Sequence, residues 1–309
     1  MQVLRELEQL RSLPGPVYLA IGIFDGVHRG HQALVAEAQA DAAKAGGTAV
    51  VMTFEPHPMM FFQPAGAPRR LSSPRHKELL LDRLGVTHLT VLPFEAARAG
   101  QEAGDFVEEL CGACRPLGGI CVGAEWRFGK GRAGDVALLK ELGAARGFEV
   151  DGIPAVHQEG EAISSTAIRS AVARGDLEFA ARALGRPYAV LGPVVHGQRT
   201  GRKLGFPTAN IDPDGFQLPP DGVYAAQVRA GSERFHGVVN LGVRPTVTSG
   251  AKRVVEVHLL RFEGDLYGQE LEVEFLQFLR GEKKFGSVDE LRAQIARDIA
   301  SVTKDRGGV

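Results

Sequence analysis

The feature that most constrains the fold of this chain is a short apolar segment. It ends in a glycine-containing turn and leads straight into an alanine-rich stretch. Residues Val17–Phe24 are mostly apolar and partly β-branched, as expected for a buried central strand. Residues Gln32–Ala45 have the composition of a helix. A strand, a tight turn and a helix in this order predict the first half of a β-α-β unit, and therefore a parallel sheet.

The connecting turn carries two histidines, His28 and His31, at the predicted helix start. In an α/β sheet this junction lies at the carboxyl ends of the strands, where ligands bind, and the first helical turn offers free N–H groups to an anion. Gly30 between the histidines lets the backbone approach a ligand closely. The pair suits phosphate chemistry, and a capped helix start with two solvated histidines explains these residues equally well.

The alternation of strands and helices continues to about Gly185. Apolar segments predict further buried strands, and helical patterns between or after them complete the β-α-β rhythm. The predicted strands are residues 48–54, 86–94, 119–123 and 148–150, and the predicted helices are residues 76–84, 105–111 and 176–184. Parallel strands joined by right-handed helical crossovers are the expected architecture.

The alternation of strands and helices stops after Gly185, and the remaining chain is predicted to contain short strands without intervening helices. These strands are predicted at residues 188–195, 222–229, 235–241, 254–260 and 270–279, and one helix at 288–300 follows them. Such a series favours an antiparallel barrel with a terminal helix. Because 309 residues are long for one core, we predict two domains, residues 1–185 and 186–309.

The composition limits the classes of partner. Lysine plus arginine (36) nearly balances aspartate plus glutamate (37), so no global field favours nucleic acid or an anionic membrane. The first 13 residues do not resemble a signal peptide, and no apolar run has transmembrane length, so a cytoplasmic protein is expected. Cys111 and Cys114 form a CxxC pair, which leaves a metal or redox role and ordinary packed thiols as alternatives.

Three further loops follow predicted strands of the first half. His57 lies in a proline-flanked loop, and Phe62 ends an apolar segment that suits a flat ring or simple core packing. Residues 124–131 contain Gly-Lys but lack the spacing and the hydroxyl residue of a phosphate-binding P-loop. Residues 163–169 combine hydroxyls with Arg169 at a helix start, where they either cap the helix or bind phosphates.

The second half contains one segment, residues 197–210, that joins glycines, cations and a hydroxyl–amide pair. Thr208 and Asn210 are two residues apart on an extended segment and so point to one side, where their oxygens would suit Mg²⁺. A glycine-rich barrel loop with a solvated basic edge is the alternative. On the predicted strand at 254–260, Glu256 lies on the face opposite the apolar residues.

Several of these segments resemble motifs of one family. Phe-Asp-Gly-Val-His-Arg-Gly-His at 24–31 resembles the HxGH signature of nucleotidyltransferases, in the longer form of the bacterial bifunctional riboflavin kinase and FAD synthetase. The elements at 53–58, 122–131 and 163–169 resemble that family in the same order, although Glu125 and Trp126 depart from its pattern. Gly-Phe-Pro-Thr-Ala-Asn at 205–210, with the segments at 240–246 and 265–268, resembles its riboflavin kinase.

The resemblance implies a Rossmann-like nucleotidyltransferase domain followed by a riboflavin kinase barrel. It implies phosphorylation of riboflavin to FMN by ATP with Mg²⁺, and adenylylation of FMN to FAD with release of pyrophosphate. The implied site residues are as follows: His28, His31 and Glu256 for catalysis; Phe24, Asp25, Gly26, Gly30, Ser164, Thr166, Arg169, Gly201, Arg202 and Lys203 for nucleotide and phosphate; His57, Phe62, Glu125 and Phe128 for flavin; Thr208 and Asn210 for the metal.

Two alternative functions remain open at the level of the sequence. One is a monofunctional FMN adenylyltransferase whose barrel only binds flavin. The other is a non-enzymatic flavin-responsive regulator. The combination of Thr208, Asn210 and Glu256 argues against the first, and the presence of two phosphate sites argues against the second. Small-molecule substrates are the expected partners, with no nucleic acid and no membrane; nothing in the sequence identifies a protein partner.

Overall fold

The computed structural model describes residues 1–197, 201, 204–246 and 250–304. The chain forms two compact units, which are described separately. The first contains Met1–Pro68 and Pro74–Ser165, and the second contains Arg69–Ser73 and the chain from Thr166 onward. This division falls before the predicted domain boundary at Gly185, which stays a prediction.

The first unit is built on a six-stranded parallel sheet in the order β1-β4-β3-β2-β5-β6. Its strands are β1 Gln2–Leu4, β2 Val17–Ile21, β3 Thr48–Glu55, β4 His88–Pro93, β5 Leu117–Gly123 and β6 Glu149–Ile153. Its helices are α1 Arg29–Ala45, α2 Pro58–Phe62, α3 Pro74–Asp82, α4 Ala96–Ala99, α5 Ala103–Ala113 and α6 Val136–Arg146. A two-stranded ribbon, β7 His157–Gln158 and β8 Glu161–Ala162, follows β6.

Strand β2 lies at the centre of this sheet because both of its faces are apolar. Val17, Leu19 and Ile21 belong to one buried cluster, and Ala20 belongs to a second cluster that includes Val35 of α1. All five residues of β2 are buried, as the apolar run predicts. The predicted parallel sheet with helices between its strands is confirmed.

Several elements of the first unit differ from the sequence-based prediction; the short elements α2, α4, β7 and β8 were not predicted, and three other cases are instructive. Strand β2 ends at Ile21, because Phe24 has a φ of +55° and cannot continue a strand. Strand β1 was not predicted, since three residues are too few to show a period. Helix α6 was also missed, although Asp135 caps it by accepting a hydrogen bond from the Leu138 N–H at 3.0 Å.

The second unit contains a closed antiparallel barrel in the order β10-β13-β12-β11-β14-β9, as the short strands predicted. Its strands are β9 Ala189–Val195, β10 Ala209–Ile211, β11 Gly222–Ala230, β12 Glu233–Thr246, β13 Gly250–Leu259 and β14 Glu270–Arg280. Strand β10 was not predicted because it has only three residues. The terminal helix α9, Val288–Lys304, is fixed to β14 by the ion pair between Arg280 and the buried Asp298, with an N–O distance of 2.7 Å.

In the described part of the chain, two further helices and one distant segment belong to the second unit. Helix α7, Ser165–Arg174, runs into this unit, and α8, Leu177–Leu184, packs against β14. In the segment Arg69–Ser73, the Arg70 N–H donates to the Gly215 carbonyl at 2.8 Å, and the Gln217 N–H donates to the Arg70 carbonyl at 2.9 Å. A piece of chain from far upstream therefore belongs to the second unit.

Candidate active sites

The first site lies where the strand order reverses. From β2 the chain moves outward to β3 and β4, and later it returns to β5 and β6 on the other side of β2. Ligands of open α/β sheets bind at such a switch point, at the carboxyl ends of the strands. Residues 24–31, here called the histidine turn, follow β2 at this edge, and His57 and Glu125 follow β3 and β5 at the same edge.

The histidine turn is held in an unusual backbone conformation. Phe24, Gly26 and Val27 have φ values of +55°, +77° and +43°, which is uncommon for non-glycine residues and exceptional for a β-branched one. The Val27 N–H donates to the Phe24 carbonyl at 3.2 Å, and Gln32 Nε2 donates to the Val27 carbonyl at 2.9 Å. Asp25 is buried, with 4% of its surface exposed. Strain of this kind concentrates at functional sites.

The two histidines stack on each other at the start of α1. His28 is the N-cap residue, and its Nδ1 accepts a hydrogen bond from the His31 N–H at 3.3 Å. The ring centroids are 3.6 Å apart, and the ring planes differ by 20°. His28 therefore caps the helix, as one of the two interpretations of the sequence expected. It is not solvated as that interpretation also expected, because only 7% of its surface is exposed.

The surroundings of His31 favour its neutral form. Burial holds the pKa of His31 well below its usual range, and the neighbouring His28 and Lys77 lower it further. The Phe24 ring lies 5.0 Å from the His31 ring, centroid to centroid. Among the described residues, no hydrogen-bond partner reaches the buried His31 Nδ1. At neutral pH His31 is therefore an uncharged imidazole.

Within the histidine turn, Gly30 packs closely on the His28 ring, and the loop before α7 lies against this turn. A Cβ built at Gly30 would lie 3.1 Å from Cε1 and 3.2 Å from Nδ1 of His28, so a larger residue would displace that ring. The same Cβ would lie 3.9 Å from the Ile163 carbonyl oxygen. The Ser165 hydroxyl donates to the Asp25 carbonyl at 3.0 Å, which brings the loop containing Ser164 to the histidine turn.

The remaining phosphate-binding candidates lie further along α7. Thr166 and Arg169 are three residues apart on this helix, so they share one face. Both belong to the second unit, whereas Ser164 and the histidine turn belong to the first. The position of Ser165 was not singled out from the sequence, although it lies inside the Ile-Ser-Ser-Thr motif.

The predicted flavin-binding residues mark an aromatic surface of the first unit. Phe62 on α2 is 55% exposed, and its ring makes edge contacts with Phe94 at 5.8 Å. His57 caps α2 by accepting a hydrogen bond from the Met59 N–H at 3.1 Å. Phe128 is buried, and the ring of Trp126 stacks on it at 4.6 Å. Glu125 is exposed beside this pair.

The CxxC pair lies at the end of α5. Burial raises the pKa of the Cys114 thiol to about 12 and also raises that of Cys111. Both thiols are therefore protonated near neutral pH, which is unlike the lowered pKa of redox-active cysteines. This environment matches packed thiols, the second of the two alternatives considered above.

The second site is a cleft of about 480 Å³ at one end of the barrel. Thr208 and its neighbours form one wall, and residues 262–267 form the opposite wall. Tyr267 is 41% exposed, and its ring centroid lies 4.2 Å from that of His196. The wall at 262–267 is shaped by Asp265, whose carboxylate accepts a hydrogen bond from the Tyr267 N–H at 2.9 Å.

The strand register places Glu256 beside the hydroxyl–amide pair. Asn210 on β10 is directly opposite Glu256 on β13, and Asn240 on β12 is opposite Glu256 on its other side. Residues opposite each other in antiparallel strands share a face and lie about 5 Å apart at Cβ. Val255 and Val257 are fully buried on the other face, as the alternating pattern predicted.

Two glycines pack closely on the predicted metal-binding residues. A Cβ added at Gly197 would overlap the side-chain amide of Asn210, and one added at Gly201 would lie 3.2 Å from the Thr208 hydroxyl oxygen. The glycines of this segment therefore permit a close approach of backbone to both side chains. Arg202 and Lys203, the predicted phosphate-binding cations, lie outside the described residues.

Sequence reasoning missed residues whose role depends on tertiary contacts. Lys77 and Thr53 lie near the histidine turn, and His196 lies at the barrel cleft. A lysine within an amphipathic helix looks solvated in the sequence, so no local signal distinguishes Lys77. Asn240 is the exception, because it lies inside the Asn-Leu-Gly-Val-Arg-Pro-Thr segment that was noted as similar to riboflavin kinases.

Comparisons with known proteins agree with this arrangement. Residues 11–167 match the family model described as FAD synthetase, and residues 184–305 match the one described as riboflavin kinase. The curated protein of Pseudomonas fluorescens, a bifunctional riboflavin kinase/FMN adenylyltransferase, is 39% identical over 301 residues, covering 97% of this chain and 96% of the relative. The protein of the same name from Escherichia coli K12 is 40% identical over 300 residues, covering 96% of each.

A solved structure has the same fold over nearly the full length. It is a crystal structure described as a macrolide-efflux protein from Streptococcus pneumoniae, with a TM-score of 0.84, 31% identity and coverage of 98% of both chains. That description differs from the names of the curated relatives, whereas the two family models agree with them. Within the described part of this chain, every helix is too short or too polar to cross a bilayer.

Proposed function

The chain belongs to the bifunctional riboflavin kinase/FMN adenylyltransferase family, and from this premise we propose which of its residues perform each reaction. The chain phosphorylates riboflavin and adenylylates FMN, so the two alternative functions considered from the sequence are set aside. We assign residues 1–185 to adenylylation and residues 186–309 to the kinase. The stacked pair of His28 and His31 at the switch point carries the first assignment.

Adenylylation joins FMN directly to the AMP part of ATP. A phosphate oxygen of FMN attacks the α-phosphorus, the bond to the bridging oxygen breaks, and pyrophosphate leaves with the electron pair. His28 and His31 stabilise the charge that develops on the α-phosphate, because imidazole N–H groups fixed in an apolar site donate strongly to phosphate oxygens. The first turn of α1 supports them, with the Gly26 and Gly30 backbone nearby and with Phe24 and Asp25 setting the shape of the turn.

Ser164, Thr166 and Arg169 hold the departing pyrophosphate in this proposal. Support comes from the Ser165 hydroxyl, whose hydrogen bond to the Asp25 carbonyl brings Ser164 to the histidine turn. Arg169 would bind phosphate oxygens through its planar guanidinium group, as arginine commonly does. His57, Phe62, Glu125 and Phe128 form the flavin site, and the exposed ring of Phe62 offers an apolar face to the isoalloxazine.

The kinase reaction transfers the γ-phosphoryl group of ATP to the ribityl 5′-hydroxyl of riboflavin. Glu256 accepts the hydroxyl proton as the oxygen attacks the γ-phosphorus, and ADP leaves with the electron pair of the broken bond. Gly201, Arg202 and Lys203 position the ATP phosphates. Support for Glu256 comes from its register opposite Asn210 on the outer face of the barrel.

Thr208 and Asn210 are the residues that would hold Mg²⁺. Their donors are a hydroxyl and an amide oxygen, which are hard ligands of the kind that magnesium prefers. The close packing of Gly201 and Gly197 on these side chains fixes their orientation, which supports the fit. When bound, Mg²⁺ would neutralise charge on the ATP phosphates.

The remaining proposals concern where the enzyme acts. Its substrates are riboflavin, FMN and ATP, and we propose that it works in the cytoplasm without nucleic acid or a membrane as a partner. The near balance of 36 basic and 37 acidic residues supports this proposal, because no large field of one sign would attract a polyanion.

A pair of variants tests both assignments in one experiment. His28→Asn keeps a good helix cap but loses the imidazole, so FMN adenylylation should fall by about a hundredfold or more while riboflavin phosphorylation stays near normal. Glu256→Gln keeps size and polarity but loses the base, so kinase turnover should fall roughly a hundred- to ten-thousandfold. Both products would be measured by chromatography, with FMN supplied separately for the second reaction.

Each variant is the folding control for the other. A parallel loss of both reactions in either folded variant would contradict the assignment of separate sites. Kinase turnover within about threefold of the parent in Glu256→Gln would remove this residue from the role of base, because a positioned base contributes far more.

A further inference from the structure

Lys77 is a buried cation to which the two reactions described above give no role. It lies on α3, and only 4% of its surface is exposed. Its Nζ is 2.7 Å from Oε1 of Glu55 at the end of β3. Lysine is almost never buried without a partner, and a buried ion pair is a weak source of stability, because apolar replacements of similar volume are often equally stable.

Lys77 also connects to the start of the histidine turn. Its Nζ lies 3.4 Å from the hydroxyl oxygen of Thr53, and that hydroxyl donates to the Ile23 carbonyl at 3.0 Å. Thr53 is fully buried. Ile23 immediately precedes Phe24, the first residue with a positive φ. The chain of contacts therefore supports the backbone at the point where the strained turn begins.

The charge of Lys77 acts on His31 as well. The rings of Phe24 and His28 contact the His31 ring, and the Lys77 side chain from α3 acts on it electrostatically. Burial, His28 and Lys77 all lower the pKa of His31, in that order. The ammonium group therefore opposes a proton on His31 and helps to maintain the neutral imidazole.

We propose that Lys77 is a positioning residue for adenylyl transfer, holding the histidine turn through Thr53 and placing a positive charge in the surroundings of His31. It does not touch the reacting atoms in this proposal; it sets the position and the protonation state of a residue that does. The proposal rests on the assignment of His28 and His31 to adenylylation.

The test compares variants that separate the charge of Lys77 from the stability of its ion pair. Lys77→Met should lower kcat for FMN adenylylation by about a hundredfold, the loss typical of a displaced catalytic group, and leave KM within about threefold. In Lys77→Met the pKa of His31, followed by NMR, should rise, because a cation is removed and Glu55 is left unpaired. Lys77→Arg, which keeps the charge, should recover part of both properties.

The double variant Lys77→Met/Glu55→Gln keeps the proposal falsifiable if the single variant does not fold. It leaves no unpaired buried charge, so it should fold and should still be slow. Thr53→Val, which removes only the hydroxyl link, should also lower kcat. Lys44→Met, which removes a lysine from an exposed ion pair of the same unit, should change kcat by less than about threefold.

Several results would overturn the proposal. One is a double variant with the turnover and pH profile of the parent, since any defect of Lys77→Met would then come from the unpaired Glu55 and not from the loss of Lys77. Parental turnover in Thr53→Val is another. His28→Asn is measured alongside to separate the two levels of inference. If His28→Asn is inactive and the Lys77 variants are active, only the role of Lys77 fails; if all are active, the assignment of the histidines fails with it.

Discussion

His31 shows how one largely buried imidazole couples stability to pH. Its pKa in the folded protein lies well below the ordinary value of 6.5, chiefly because burial disfavours the charged form. The unfolded chain therefore binds a proton below about pH 6.5 that the folded chain does not bind. The free energy of unfolding falls as pH falls through this value, and it stops falling once the pH reaches the folded-state pKa.

His31→Gln should remove this contribution, because glutamine does not titrate. We expect the melting temperature of the parent to drop between about pH 7.5 and 5.5, and we expect a smaller drop in the variant. Differential scanning calorimetry at both pH values measures the difference. An equal or larger drop in His31→Gln would show that His31 is protonated normally in the folded protein.

At the scale of the element, Gly30 lowers the helix propensity at the start of α1 but leaves room for the His28 ring. Alanine is about 1 kcal/mol better than glycine inside a helix, yet a Cβ at Gly30 would press on the His28 ring. Gly30→Ala should therefore lower adenylylation by tenfold or more, roughly the cost of a slightly displaced catalytic group, without lowering the melting temperature.

The matched control is Gly112→Ala on α5, where an added Cβ meets no atom within 4 Å. This variant should gain stability and keep both activities. Steady-state kinetics with calorimetry would measure both. Full adenylylation in Gly30→Ala would mean that the His28 ring moves aside without loss, and the close packing at Gly30 would then have no catalytic meaning.

The elements differ in how far the sequence could predict them. The parallel sheet and the position of the histidine pair were predictable because the apolar run of β2 stops at a turn and a helix follows it directly. Strands β1 and β10 were not, since three residues show no period. Lys77 was not predictable, because its contacts with Thr53 and Glu55 join residues more than 20 positions apart.

At the scale of the whole molecule, the compact second unit begins before the predicted kinase boundary. Helix α8 buries Leu177, Ala180, Ala183 and Leu184 and packs against β14. A fragment of residues 186–309 lacks this helix, whereas residues 166–309 contain it. Burying one large apolar side chain contributes about 1.5–3 kcal/mol, so the helix should add clearly to stability.

We expect both fragments to fold and to phosphorylate riboflavin, and we expect the fragment 166–309 to melt at the higher temperature. Circular dichroism and a kinase assay would compare them. Equal melting temperatures would contradict the inclusion of α8 in the fold of this unit. A folded but inactive fragment 166–309 would instead show that the kinase needs residues from elsewhere in the chain.

The segment Arg69–Ser73 bears on how this gene can evolve. The segment is encoded within the first unit but forms backbone hydrogen bonds with Gly215 and Gln217 of the second. A single break in the gene between the two units would leave these five codons on the wrong product. Fission into two independent enzymes would therefore deprive the kinase product of these backbone hydrogen bonds, whereas duplication of the entire gene followed by decay of one site would keep them.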